Sequence, residues 1–496
     1  MCRTRILLTF VCLSLSLVLA PGSVPGAQAA PASPGTTVLT PNWHFETNQA
    51  TDSFRRLTVA SGCDVNGDGY EDVLVGDRAY PYAVSSGKAW LFYGGPAGLS
   101  ASPARIFDPP NVEASGAFGV EVYCDLDVNG DDYDDILIGM DNYNATYSDE
   151  GAVFVWYGHA NGPASGYDWM AHGNATYAHF GISLDSAGDV NGDNYDDIIV
   201  VGWTHDTATN AYVYYGGTGG LGPTGTPSNA DWKATIGVYR GNLARGIGDV
   251  NGDGWDDVML GVHTYDGSFA DQGAVYVWYG SATGLGPSGT ADNTDWSAVG
   301  GQASAYFGWG GDGVGDLNGD GYDDLAVGAY GYDSGETNEG AVFVWYGSAS
   351  GLGPNGSPIN AGWSAESNAA GGQLGFTVRP AGDVNGDGLA DLLAGAYAYT
   401  VASLPAAGAW FVWLGGAVGL GGAGTPANAD FAGYGDQAQG RLSRDDIAAG
   451  DVNGDGFSDI FAAAYMYDMG ETDEGVVFGY YAFRRLFLPM VLRNYP

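Results

Sequence analysis

The chain has 496 residues, a formal charge of −42 and only 16 Lys and Arg. With so few cations and no basic run, a nucleic-acid surface is excluded, because phosphate binding rests on clustered Lys and Arg. A hydrophobic content of 45% supplies a large core, so the acidity does not mean disorder, and 84 glycines with 13% aromatics point to short strands and tight turns.

In chain order, Arg3 and Arg5 precede the apolar run ILLTFVCLSLSLVLA, and Ala27 and Ala29 follow with the small-residue spacing of a cleavage site. Residues 1–29 are expected to be an export signal, since about 15 apolar residues are too few to span a bilayer comfortably. No other long apolar run occurs, so no transmembrane segment is expected after cleavage. Residues 30–41 read as a linker, residues 42–482 as one repeat array, and residues 483–496 as an apolar and basic tail.

The array is built on one nine-residue loop. DVNGDGYED at 64 returns as DVNGDDYDD at 127, DVNGDNYDD at 189, DVNGDGWDD at 249, DLNGDGYDD at 316, DVNGDGLAD at 383 and DVNGDGFSD at 451. Around each copy the same pieces recur in phase: Phe-Gly or a variant before the loop, a short apolar run such as DILIGM after it, then a second run such as GAVFVWYG. A Gly-rich turn and an aromatic follow, the aromatics being Phe107, Trp169, Trp232, Trp296, Trp363 and Phe431. Short runs rich in β-branched and aromatic residues, bounded by Gly, Pro, Asn and Asp, are strands. Four strands per period predict an all-β, seven-bladed β-propeller. The seventh repeat lacks its aromatic strand, and Trp43 stands 21 residues before Asp64, where the other six aromatics precede the next aspartate by 17 or 20. The N-terminal strand is therefore expected to complete blade seven and close the ring, which removes two exposed edges.

Positions 1, 3, 5, 7 and 9 of the loops offer oxygens. They are Asp64, Asn66, Asp68, Tyr70 and Asp72; Asp127, Asn129, Asp131, Tyr133 and Asp135; Asp189, Asn191, Asp193, Tyr195 and Asp197; Asp249, Asn251, Asp253, Trp255 and Asp257; Asp316, Asn318, Asp320, Tyr322 and Asp324; Asp383, Asn385, Asp387, Leu389 and Asp391; and Asp451, Asn453, Asp455, Phe457 and Asp459. Position 7 would serve through its backbone carbonyl. Calcium takes six to eight hard oxygens, which alternate residues of a tight loop can aim inward together. Turn formation alone does not require oxygens at all four side-chain positions in seven copies. Clustered carboxylates also repel unless a cation offsets them. Up to seven Ca²⁺ are expected. Position 12 is Val75, Ile138, Val200, Leu260, Val327, Ala394 or Ala462 rather than Glu, so these are not EF-hands and position 9 must close the site. Position 6 is Gly in five copies and Asp132 or Asn194 in two, the residue types that best tolerate φ > 0.

Phe-Gly, the DxNxDGxxD loop and VGAY resemble the FG-GAP repeats of integrin α-chain propellers and their bacterial relatives, over roughly residues 42–482. The Phe-Gly signature is degenerate in blades one, four and seven, and Tyr stands where the family has Pro after Gly-Ala. The resemblance implies calcium in the loop between the first two strands of a blade, on the face opposite the one integrins use for ligand.

On that other face, the loops between second and third strands differ in length and sequence. Tyr, Asp, Asn, Ser and Gly in them make a mix suited to protein or glycan contact. Tyr330, Tyr397 and Tyr465, the first tyrosines of three such loops, are expected between blades. Tyr143, Tyr265, Tyr332, Tyr399 and Tyr467 are the expected ligand-face residues. Without the signal, Cys63 and Cys124 remain; they suit one disulfide in an exported protein, or two buried thiols. The six His are scattered, with no zinc spacing and no nucleophile elbow. The function expected is a secreted or cell-surface, non-catalytic adhesion or recognition propeller with an extracellular protein or glycan ligand. The alternative is a calcium-dependent extracellular polysaccharide lyase or hydrolase on the same frame.

Overall fold

Residues 36–49, 57–81, 84–111, 115–203, 208–237, 241 and 243–482 are described in the computed structural model. The expected export signal, part of the linker and the C-terminal tail lie outside them. The described residues contain strands and no helix.

Seven sheets, each with an antiparallel core of four strands, follow one another along the chain. Blade two is typical: Phe118–Tyr123 pairs with Ile136–Met140, then Ala152–Trp156, then Trp169–His172. Ala152–Trp156 is buried at every residue, because a central strand of a propeller blade is covered on both faces. That is why AVFVW reads as a continuous apolar run rather than an alternating one. The outer strand Trp169–His172 alternates buried and half-buried residues, as one-sided cover requires.

Neighbouring blades meet through the recurring pieces. Phe118 at the start of an inner strand, and Phe180 and Phe307 just ahead of theirs, are fully buried, and their backbones bridge Gly87, Gly151 and Gly273 of the preceding blade. At Gly151 (φ +72°) an added Cβ would lie 2.2 Å from the Phe180 nitrogen, so only glycine fits. Outer-strand indoles reach forward as well: Trp169, Trp232 and Trp296 Nε1 donate to the carbonyls of Pro223, Pro287 and Pro354 at 3.0 Å.

The ring closes as the spacing predicts. Trp43–Phe45 pairs antiparallel with Val476–Tyr480 and completes blade seven. Trp43 Nε1 donates to the Ser100 carbonyl of blade one at 3.0 Å. The linker assignment needs correction. Thr37–Val38 runs parallel to Phe431–Tyr434 as a fifth strand on blade six, and Leu39 beside it is buried. This pair adds backbone bonds to an otherwise open outer edge. Cys63 and Cys124 form a disulfide between blades one and two, with Cα atoms 5.5 Å apart.

Candidate metal centres

All seven loops fold alike. Asp127 Oδ1 accepts the N–H groups of Gly130 (2.7 Å) and Asp131 (3.2 Å), and Oδ2 accepts that of Asp132 (2.8 Å). Asp316 does the same with Gly319, Asp320 and Gly321. Position 5 accepts the N–H of position 7, as Asp131 does from Tyr133 at 3.2 Å. Position 6 has φ > 0 whether it is Gly254 (+91°), Asp132 (+65°) or Asn194 (+66°). Position 9 ties the loop to its blade: Asp135 Oδ2 accepts the N–H of Val128 at 3.0 Å and Oδ1 that of Gly158 at 2.9 Å.

The position-9 carboxyls are wholly buried in every blade. Burial pushes Asp72, Asp135, Asp197, Asp257 and Asp459 up to about 8, and the carboxylates at positions 1 and 5 push the same way. Asp324 and Asp391 rise to about 7 for the same causes. Position 3 adds amides: Asn453 Nδ2 donates to Asp459 Oδ2 at 3.0 Å, and Asn66 Nδ2 is buried with no acceptor. Among the described residues, no three Asp, Glu, His or Cys side chains converge as a metal cage. Position 1 instead directs both oxygens at its own loop. The donor set nevertheless fits a hard divalent cation in its chemistry: it is all oxygen, and it clusters negative charge around a desolvated carboxyl.

Positions 7 and 8 reach the neighbouring loop, which the sequence alone did not reveal. The ring at position 7 lies over the position-4 glycine of the preceding blade: Tyr133 over Gly67, Tyr195 over Gly130, Trp255 over Gly192, Tyr322 over Gly252, Phe457 over Gly386 and Tyr70 over Gly454. A Cβ at Gly192 would sit 2.3 Å from Trp255 Nε1, and position 4 has φ between +69° and +78° in all seven copies, which accounts for glycine there.

On the opposite face, two of the five tyrosines expected there are not displayed. Tyr143 and Tyr467 are buried, and Tyr265, Tyr332 and Tyr399 are half-buried. Each sits edge-on to a third-strand ring of its own blade: Phe154 (5.6 Å), Phe478 (5.1 Å), Tyr276 (6.4 Å), Phe343 (5.2 Å) and Phe411 (5.7 Å). Folding back over the third strand removes apolar ring surface from water, which wins over display. Tyr330 packs between blades as expected, 5.2 Å from Phe376 of blade six; Tyr397 contacts Phe376 of its own blade at 4.6 Å and has the Arg444 guanidinium of blade seven 5.9 Å over its ring. Tyr465 lies under the Arg444 guanidinium, 4.3 Å away. Among the described residues, the exposed aromatics of this face are Tyr147, Tyr177 and Phe269. Tyr177 N–H donates to the Ser148 carbonyl at 2.8 Å, which sets Tyr177 beside the loop that carries Tyr147.

A second constellation escaped sequence reasoning because its members come from separate blades. Glu121, Asp185, Arg245, Asp312, Arg379 and Asp446 meet on the propeller axis. Arg245 Nη2 lies 3.1 Å from Glu121, and Arg379 lies 3.0 Å from Asp446 and 3.4 Å from Asp312. Burial raises Asp312 to about 6 against the pull of both guanidiniums. The cluster forms one end of an axial cavity of about 480 Å³ on the side of the nine-residue loops.

A model of the FG-GAP repeat matches residues 57–92, 246–278, 307–345, 377–413 and 445–480. The unmatched blades two and three are the two with Asp132 or Asn194 at position 6, and they fold as the others do. Integrin alpha-IIb of Mus musculus is 35% identical over 157 residues, 30% of this chain and 14% of that one. Integrin alpha-6 of Homo sapiens is 37% identical over 107 residues, 21% and 8% respectively. Integrin alpha-4 of Xenopus laevis is 27% identical over 164 residues, 32% and 16%. The chain thus spans a small part of each integrin.

Proposed function

From its membership of the FG-GAP repeat β-propellers, we propose that this chain is an exported recognition module. Calcium would rigidify one face, and the other face would bind an extracellular protein or glycan without catalysis. The observation that carries this reading is the contrast between the faces. Seven loops keep one oxygen pattern and one hydrogen-bonding scheme, as a structural part needs. The loops opposite differ from blade to blade and expose Tyr147, Tyr177 and Phe269, which suits an asymmetric partner. Positions 1, 3, 5 and 9, with the position-7 carbonyl, would hold each ion, and a hard cation there neutralises the buried carboxylates. A disulfide suits an oxidising compartment outside the cytosol.

The test is binding to protein and glycan arrays in millimolar calcium and in EGTA. Tyr147→Ala with Tyr177→Ala should weaken binding at least about fivefold while melting and calcium uptake stay as in the parent. Asp316→Asn with Asp320→Asn should reduce uptake and local stability first. Turnover of a polysaccharide by the purified chain, lost in the Asp316 variant without loss of stability, would replace this reading with a lyase or hydrolase.

A further inference from the structure

The calcium reading leaves one recurring residue of the loop unexplained. Position 8 is Glu71, Asp134, Asp196, Asp256 and Asp323 in blades one to five, but Ala390 and Ser458 in blades six and seven. It stands between two expected ligands, the carbonyl of position 7 and the carboxylate of position 9. Its own carboxylate instead accepts the N–H of position 1 in the preceding blade. Asp134 takes Asp64 N–H at 2.5 Å, Asp196 takes Asp127 at 2.7 Å, Asp256 takes Asp189 at 2.8 Å and Asp323 takes Asp249 at 2.9 Å. Glu71 takes Asp451 N–H at 2.5 Å, which carries the series across the closing seam. The return bond, from position-8 N–H to position-1 carbonyl, is present at all seven junctions, Ala390 (3.3 Å) and Ser458 (3.0 Å) included. Five junctions are therefore clasped both ways, and the two that flank blade six only one way.

Resting on the reading of these loops as calcium sites, we propose that the position-8 carboxylates are positioning residues that couple neighbouring sites. Blades seven, one, two, three, four and five then fill as one cooperative array, interrupted on both sides of blade six. An ion in one loop fixes positions 7 and 9 and so the residue between them. That residue holds the backbone of position 1 in the loop before it, where the next site begins. The position-7 ring on the neighbour's glycine adds a second mechanical link at the same junction. The carboxylate also lends charge to two sites at once: Asp134 faces both Asp64 and Asp127, and Asp256 faces both Asp189 and Asp249. Coupling of this kind is reciprocal, so either ion assists the other.

Calcium calorimetry on the full chain tests this with variants that carry residues native to position 8 of other blades. Asp256→Ala reproduces the residue native at 390, and Ala390→Asp adds a clasp where none exists. The parent should bind with a Hill coefficient above 1. Asp256→Ala should flatten the isotherm and weaken the two flanking loops about fivefold, with the number of ions unchanged. Terbium luminescence excited through Trp255, whose ring lies between those two loops, reads that local loss. Ala390→Asp should steepen the isotherm. A purely structural role would lower the melting midpoint and leave the steepness alone. Full ion uptake with the same isotherm in the parent and both variants overturns the coupling. No ion uptake by the parent overturns the calcium reading and the coupling with it.

Discussion

At Phe180, burial between blades two and three and the backbone bridge to Gly151 depend on each other. Phe180→Ala should cost about 3–5 kcal/mol, read as a lower denaturation midpoint at unchanged slope. The sequence shows both residues recurring in phase, but not that the glycine of one blade lies against the backbone of the next. A quieter pair sits at the seam. In blade two, His172 Nδ1 is 3.0 Å from Glu150 Oε2. At the matching register of blade seven, Glu46 takes the place of the histidine and faces Glu474, which is wholly buried. The Oε2 atoms of both glutamates are buried with no donor. Burial raises Glu46 and the charge of Glu474 raises it further, against a hydrogen bond from Asn48 that lowers it. A raised folded pKa means the native state holds the proton more tightly than the unfolded chain does. The stability so gained is present below the ordinary glutamate value and is lost as pH climbs through the raised one. Glu46→Gln supplies an N–H donor permanently, so the melting midpoint should fall less with rising pH than in the parent. Parallel pH profiles would show that no proton is shared there. The misplaced tyrosines teach a related lesson. Three residues past the second strand, Tyr143 and its counterparts read as loop tips, and only the return of the chain over its own third strand buries them.

The elements most legible in the sequence are those fixed by spacing. Trp43 heads the closing strand because its distance to Asp64 matches that of the other outer-strand aromatics. Thr37–Val38 gives no such signal: two residues carry no period, and the partner at Phe431 lies at the far end of the chain. The short inner strand Gly311–Gly313 is equally silent, since its glycines bring no side-chain pattern to read. Leu39 anchors the added strand, being 6% exposed and packed with Trp410 and Val412. Leu39→Ala should cost about 2–5 kcal/mol, and chemical denaturation against the parent measures it. A cost within error would leave residues 36–40 as the idle linker their composition suggests. The disulfide acts between elements. It spans 61 residues and ties the inner edge of blade one to blade two. Chain-entropy reasoning assigns such a loop about 4 kcal/mol, so Cys63→Ala with Cys124→Ala should lose up to that amount under oxidising conditions. Equal midpoints for the double variant and the oxidised parent would argue against it.

For the whole molecule, the decisive quantity is charge. The seven loops hold 27 of the 58 Asp and Glu residues, and each brings a wholly buried carboxyl beside two more. A closed ring cannot relax this repulsion by opening one end, because Trp43–Phe45 ties the first residues of the array to the last. Seven weak cations would each favour the folded state, since the unfolded chain brings no such oxygens together. Extracellular calcium sites have Kd on the order of 10⁻⁴–10⁻³ M, so tenfold saturation is worth about 1.4 kcal/mol per site and about 10 kcal/mol for seven independent ones. Melting in about 10 mM calcium should therefore exceed melting in EGTA by roughly 10 °C, and magnesium should substitute poorly because it demands a tighter octahedral shell. Lower pH offers a control with a defined sign. Protons neutralise the same carboxyls, so the difference between calcium and EGTA should narrow as the position-9 groups, raised to about 7 or 8, take up protons. A calcium effect that is absent at neutral pH, or that grows as the solution is acidified, would remove metal from the account of these loops.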